Sequence, residues 1–129
     1  MVGLNTRYSG KLKRNPSCSA ALKDGGETLR WIPVCPEQLG GLPTPRDAAD
    51  IVGGTGDDVL DGNARVITKN GIDVTEHFIR GAEQVLQIAQ MTGAKEAWLK
   101  ARSPSCAVQG SVGVAAALLA RNGIRLVEY

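Results

Sequence analysis

Apolar residues along this chain fall into short runs separated by glycine, proline and polar clusters, and the period within each run predicts an element. Leu29–Val34 (LRWIPV) is rich in β-favouring side chains and predicts a strand, although Pro33 has no N–H for a central ladder. Ala64–Thr68 (ARVIT) predicts a second short strand, followed by the turn dipeptide Asn70-Gly71. Phe78, Ala82, Val85, Leu86 and Ala89 recur at helical spacing, so Glu76–Met91 predicts an amphipathic helix that Gly93 ends. Glu96–Ala101 (EAWLKA) predicts another strand. Val112–Ala120 is nearly all apolar and reads as a buried helix, closed by Asn122-Gly123 before a last strand, Ile124–Val127.

Two more helices are predicted from their starts rather than from a period. Asn15-Pro16-Ser17 places a capping residue before a first-turn proline, and that helix runs to Asp24. Thr44-Pro45 is a similar start, leading through Ala48, Ala49 and Ile51 to Gly53-Gly54. Met1–Gly10 reads as a loop. Gly53-Gly54-Thr55-Gly56 lacks the Lys-Ser/Thr of a phosphate-binding loop and reads as a plain turn. Asp57, Asp58 and Asp61 miss the spacing of a calcium loop and read as solvated. The alternation of strands and helices predicts an α/β fold: a three-layer, Rossmann-like, mostly parallel sheet with helices on both faces. Ligands of such sheets bind beyond the carboxyl ends of the strands.

Composition narrows the function. At 129 residues, with 43% hydrophobic, the chain is expected to form one domain over 1–129 with a core that needs no disulfide or metal staple. Fifteen basic side chains against 13 acidic leave a net charge of +2, too balanced for nucleic acid or an anionic membrane to be the main partner. No apolar run approaches the roughly 18 residues of a membrane span. Gly3, Asn5, Thr6 and Arg7 interrupt any secretory signal pattern, so a cytoplasmic location is expected.

The candidate chemistry lies in two cysteine segments. Three cysteines, Cys18, Cys35 and Cys106, are an odd number for a disulfide framework, and no Cys-x-x-Cys is present. Cys35 follows a predicted strand and precedes Pro36 and Glu37. Cys106 ends Ser103-Pro104-Ser105-Cys106, also just after a predicted strand. Each segment by itself also reads as a buried thiol beside a polar turn. At one sheet edge, the pair reads as two thiolates with a carboxylate, suited to ligating a metal or to covalent chemistry.

The string from Trp31 to Arg46, WIPVCPEQLGGLPTPR, together with NGIDVTEHFIRGAEQ, LKARSPSC and the opening GLNTRYSGK, resembles the 2-thiouracil desulfurase family. The resemblance runs over nearly the whole chain in the family's order. It implies an enzyme with a [4Fe-4S] cluster held by three cysteines, whose fourth iron takes the sulfur of a thiolated nucleobase. Cys35 and Cys106 match two cluster ligands. Glu37 matches the acidic residue of the Cys-Pro-Glu motif, for proton transfer and water activation, and Ser103 matches a serine near the substrate. The family's first cysteine stands in a Cys-x-x-Gly pattern. Gly3 matches that glycine, so the third ligand is expected one residue before Met1. The family also carries an insertion between its last cysteine and the final helix, where this sequence has only Ala107-Val108-Gln109-Gly110 before the apolar run.

Two other readings stay open at this level. One is a non-catalytic α/β domain that binds a small ligand without a cluster. The other is a sulfur carrier with a persulfide on Cys35 or Cys106. Among the remaining residues, Cys18 matches no family ligand and His77 reads as an exposed or capping side chain. Trp31 and Trp98 read as core. Arg7, Lys11, Arg46 and Lys100 flank the motifs, as charges toward an anion or toward water.

Overall fold

In the computed structural model, residues 6–12, 16 and 30–129 are described. The helix expected at Asn15–Asp24, with Cys18 inside it, lies outside the described residues apart from Pro16. The order of elements is α1 (Pro36–Leu39), β1 (Ala49–Val52), α2 (Gly56–Leu60), β2 (Arg65–Thr68), α3 (Thr75–Thr92), β3 (Glu96–Leu99), α4 (Val114–Arg121) and β4 (Arg125–Glu128).

The fold is mixed α/β, but its described strands form two separate two-stranded sheets. β3 and β4 pair in parallel, from Glu96 opposite Arg125 to Leu99 opposite Glu128, with α4 as the crossover. That half matches the expected βαβ geometry. β1 and β2 pair antiparallel, from Ala49 opposite Thr68 to Val52 opposite Arg65. The expectation of one mostly parallel sheet is thus met only in the carboxyl-terminal half of the described chain.

Two elements differ from the sequence reading, each for a local reason. Residues 30–35 form no strand: Pro33 cannot donate, and Ile32 and Val34 are exposed. The helix expected from Thr44 does not form either. The β-branched Ile51 and Val52 instead pair with Val66 and Arg65, so cross-strand pairing overrides the helix preference of Ala48 and Ala49. The supposed acidic turn is α2. Its start is held by Asp58, whose Oδ2 accepts from the Thr55 amide at 2.7 Å and the Thr55 hydroxyl at 3.1 Å.

Two apolar clusters flank α4. Val59, Ala64, Val66, Val74, Phe78, Ala82, Val114 and Ala115 make the first. Val85, Ala89, Leu99, Ala116 and Leu119 make the second. The face of α3 predicted from its period is the buried one, through Phe78, Ala82, Val85 and Ala89. Burying Phe78 fully contributes up to about 3 kcal/mol. Gly93, at φ 68, ends α3 in the left-handed conformation that a glycine accepts without strain. Among the described residues, no helix is long and apolar enough to cross a membrane.

Candidate active site

The Cys-Pro-Glu segment is positioned by a backbone crossing. Pro36 occupies the first turn of α1, where its missing N–H costs nothing, and Cys35 precedes it in extended conformation. α1 lies across α3 where both carry glycine. A Cβ on Gly81 would come within 1.9 Å of the Pro36 carbonyl oxygen, and one on Gly40 within 1.9 Å of the His77 carbonyl oxygen. His77 closes the same joint, with Nδ1 2.9 Å from the Gly40 carbonyl oxygen. It is a docking residue rather than a free surface histidine.

The second segment hangs from the end of β3 and the start of α4. Arg102 is at φ 55, a left-handed conformation unusual for a side-chain-bearing residue, and turns the chain into Ser103. The Ser103 hydroxyl oxygen accepts from the amides of Ser105 at 3.3 Å and Cys106 at 3.2 Å. The amides of Ala115 and Ala116 donate to the Ser105 carbonyl at 2.9 and 3.1 Å, tying the loop to the first turn of α4. Gly113 permits this: a Cβ there would lie 2.3 Å from the Ser105 carbonyl carbon. Gly56 of α2 packs on Gly113 in turn, with a Cβ position 2.4 Å from the Gly113 carbonyl.

The two segments, 68 residues apart, meet at Glu37, whose Oε1 accepts from the Ser105 hydroxyl at 3.3 Å. Its other oxygen, Oε2, pairs with Arg46 Nε at 2.5 Å. Cys35 donates its thiol to the Thr6 carbonyl at a sulfur–oxygen distance of 3.8 Å. Burial pushes the Cys106 thiol up to about 12, and the charges of Glu37 and Cys35 add to the rise. A hydrogen bond from the Ser103 side chain and the charge of Lys100 act in the opposite direction. Cys35, Glu37, Ser103 and Cys106, named from the sequence, therefore lie in one neighbourhood.

Two participants were not singled out by sequence. Ser105 is 2% exposed and, rather than Ser103, is the serine that touches Glu37. Arg46 reads in sequence as one of several flanking charges, yet its side chain is only 6% exposed and is paired. The signal available in sequence was the nine-residue separation of Glu37 and Arg46 across a Gly-Gly turn. Of the other flanking charges, Lys11 is exposed and Arg7 lies over the Tyr8 ring at 5.5 Å. Trp31 and Trp98 are half-buried and meet edge to face, with ring centres 5.3 Å apart.

Glu37 and Arg46 also border a cleft of about 340 Å³, whose apolar wall includes Leu42, Ile72, Val74 and Phe78. A cleft of this size is at the lower end of the range for small-molecule sites, and neither Cys35 nor Cys106 lines it. As a donor set, two thiols within electrostatic reach of one another fit an iron–sulfur cluster, which takes soft thiolate ligands. They are two candidate ligands and not a full set: among the described residues, no group of three His, Cys, Asp or Glu side chains gathers at one point.

A family model described as 2-thiouracil desulfurase matches residues 1–129. A Bacillus subtilis (strain 168) relative, the uncharacterized protein YbbK, is 38% identical over 98% of this chain and 89% of its own length. Among solved structures, the [4Fe-4S]-dependent thiouracil desulfidase TudS is similar at a TM-score of 0.77 with 34% identity. That match covers 98% of this chain and 84% of the other.

Proposed function

This chain belongs to the 2-thiouracil desulfurase family, and we propose that it is an iron–sulfur enzyme replacing the sulfur of a 2-thiouracil-like pyrimidine with oxygen. The observation that carries this reading is the meeting of two thiol segments at one carboxylate, Glu37, which also borders a cleft of about 340 Å³. The net change is C=S plus water to C=O plus hydrogen sulfide. No electron is gained or lost, so no outside reductant enters.

When bound, a [4Fe-4S] cluster with one open iron supplies a Lewis acid for the departing sulfide. Cys35 and Cys106 would hold it as thiolates, and Cys106 would give up on ligation the proton that burial favours. The third ligand in this proposal is the cysteine that the resemblance puts one residue before Met1. Glu37 is the acid/base group: it takes a proton from the attacking water and returns one to the leaving sulfur. Its Oε1, outside the Arg46 pair, accepts from Ser105 in the Ser103–Cys106 loop, which supports assigning the transfer to that oxygen. Ser103, beside the Cys106 thiol, is a donor for the substrate sulfur or the released sulfide. The apolar wall of the cleft would take the faces of the pyrimidine ring. The substrate in this reading is a free thiolated base rather than a nucleic acid, and the setting is a reducing cytoplasm, where the thiols stay available.

The test is anaerobic reconstitution with iron and sulfide, of the chain as given and of one carrying a cysteine directly before Met1. The expected result is a brown protein that converts 2-thiouracil to uracil with one sulfide per turnover. A folded protein that takes up no iron in either form, with every thiol of each form free to label, would instead support the ligand-binding alternative.

A further inference from the structure

Arg46 carries more of the candidate site than an ion-pair partner needs to. Its side chain is 6% exposed, and all three guanidinium nitrogens are in use. Nε donates to Glu37 Oε2 at 2.5 Å, and Nη1 to Thr44 Oγ1 at 3.0 Å and the Pro43 carbonyl at 3.2 Å. Nη2 donates to the Thr6 carbonyl at 2.9 Å, and the Arg46 backbone amide to the Tyr8 carbonyl at 2.7 Å. Thr6 is the residue whose carbonyl also accepts the Cys35 thiol. One side chain thus joins the opening loop, the Cys-Pro-Glu segment and the loop before β1.

A buried guanidinium is costly unless its donors are met, and here each nitrogen has an acceptor. Stability alone would be served as well by an apolar side chain of similar volume. What an apolar residue could not do is fix which Glu37 oxygen faces the Ser103–Cys106 loop. Resting on the desulfurase reading above, we propose that Arg46 is a positioning residue. It holds Glu37 by Oε2 so that Oε1 is presented to the Ser103–Cys106 loop, and it clamps the Thr6 carbonyl at Cys35. Arg46 acts through these two groups and transfers no proton itself. A lysine keeps the charge but offers three donors on one nitrogen in place of a planar fork, so it cannot keep all four acceptors at these positions.

The test uses R46K in the reconstituted enzyme and in the metal-free chain, with folding followed by circular dichroism. In the enzyme, R46K is expected to keep the iron content and KM of the parent and to lower kcat about 10- to 100-fold, the scale of an ångström-level misplacement. In an E37Q background, R46K is expected to cause no further loss of kcat, because the kcat effect is the part that passes through Glu37. In the metal-free chain, R46K is expected to speed labelling of Cys35 several-fold and leave Cys106 unchanged, since only Cys35 shares the Thr6 carbonyl. Unchanged kcat and unchanged Cys35 labelling would overturn the proposal. So would an equal loss of kcat with and without E37Q. If the parent itself does not turn over thiouracil, the desulfurase reading fails and the labelling comparison still decides the clamp. Where R46K does not fold, Thr44→Val, which removes one Arg46 acceptor, takes its place in the same measurements.

Discussion

The Ser105 hydroxyl donates to Glu37 Oε1 at 3.3 Å, joining side chains 68 residues apart. Each partner is held from its own side. Glu37 rides on α1, which is seated on α3 through Gly81, and Ser105 is tied to the first turn of α4. The contact reports whether the two halves of the site are in register. S105A is therefore expected to cost only about 1 kcal/mol of stability, the ordinary net worth of one hydrogen bond. Its larger effect is a kcat loss of about tenfold or more, read by steady-state turnover of thiouracil at unchanged iron content.

The glycine joints predict where a single methyl group breaks the site. G81A and G113A each place a Cβ within 2.3 Å of backbone, which cannot swing aside as a flexible side chain would. Each is expected to destabilise by about 3 kcal/mol, the upper end of overpacking costs, and to lower iron uptake with it. G71A serves as the control. Its Cβ meets nothing within 4 Å at φ 83, so only the backbone strain is added. Denaturant midpoints and iron content measured on the three variants separate these effects.

Cluster loading gives a direct reading of the thiols. C35S and C106S are each expected to lose most of the bound iron, because a serine hydroxyl replaces a soft thiolate. C18S is expected to retain it, in keeping with a residue that matches no family ligand. Iron and sulfide analysis after anaerobic reconstitution decides each case.

The acid side of the stability profile belongs in part to α2. Hydrogen bonds from the Thr55 amide and hydroxyl hold the Asp58 carboxyl below its ordinary 3.8. The unfolded chain therefore binds this proton more readily than the folded one. Its contribution is complete above the ordinary value and is lost as pH falls through the lowered one. D58N is expected to be less stable than the parent at neutral pH. The gap in urea midpoints should narrow as the pH falls through and below 3.8.

Much of this protein is local and was readable without a structure. α3, α4 and strands β2 to β4 follow from apolar period, turn residues and β-branched runs. The two thiols and Glu37 stand in short strings that mark them as candidates. Even α2 has a readable start in Thr55-x-x-Asp58, an acidic relative of the capping box. Tertiary structure decided what depends on partners distant in sequence. β1 is a strand because Ile51 and Val52 find Val66 and Arg65 across the ribbon, against the local preference for helix. Ser105 rather than Ser103 reaches Glu37 because the α4 amides draw its carbonyl in and turn its hydroxyl toward α1. Arg46 is a buried clamp because the Thr6 carbonyl, 40 residues away, meets it. Period and propensity express the energies of neighbouring residues. The pairing of strands, the seating of backbone on glycine and the burial of a guanidinium are energies of contact, which exist only once the chain has closed on itself.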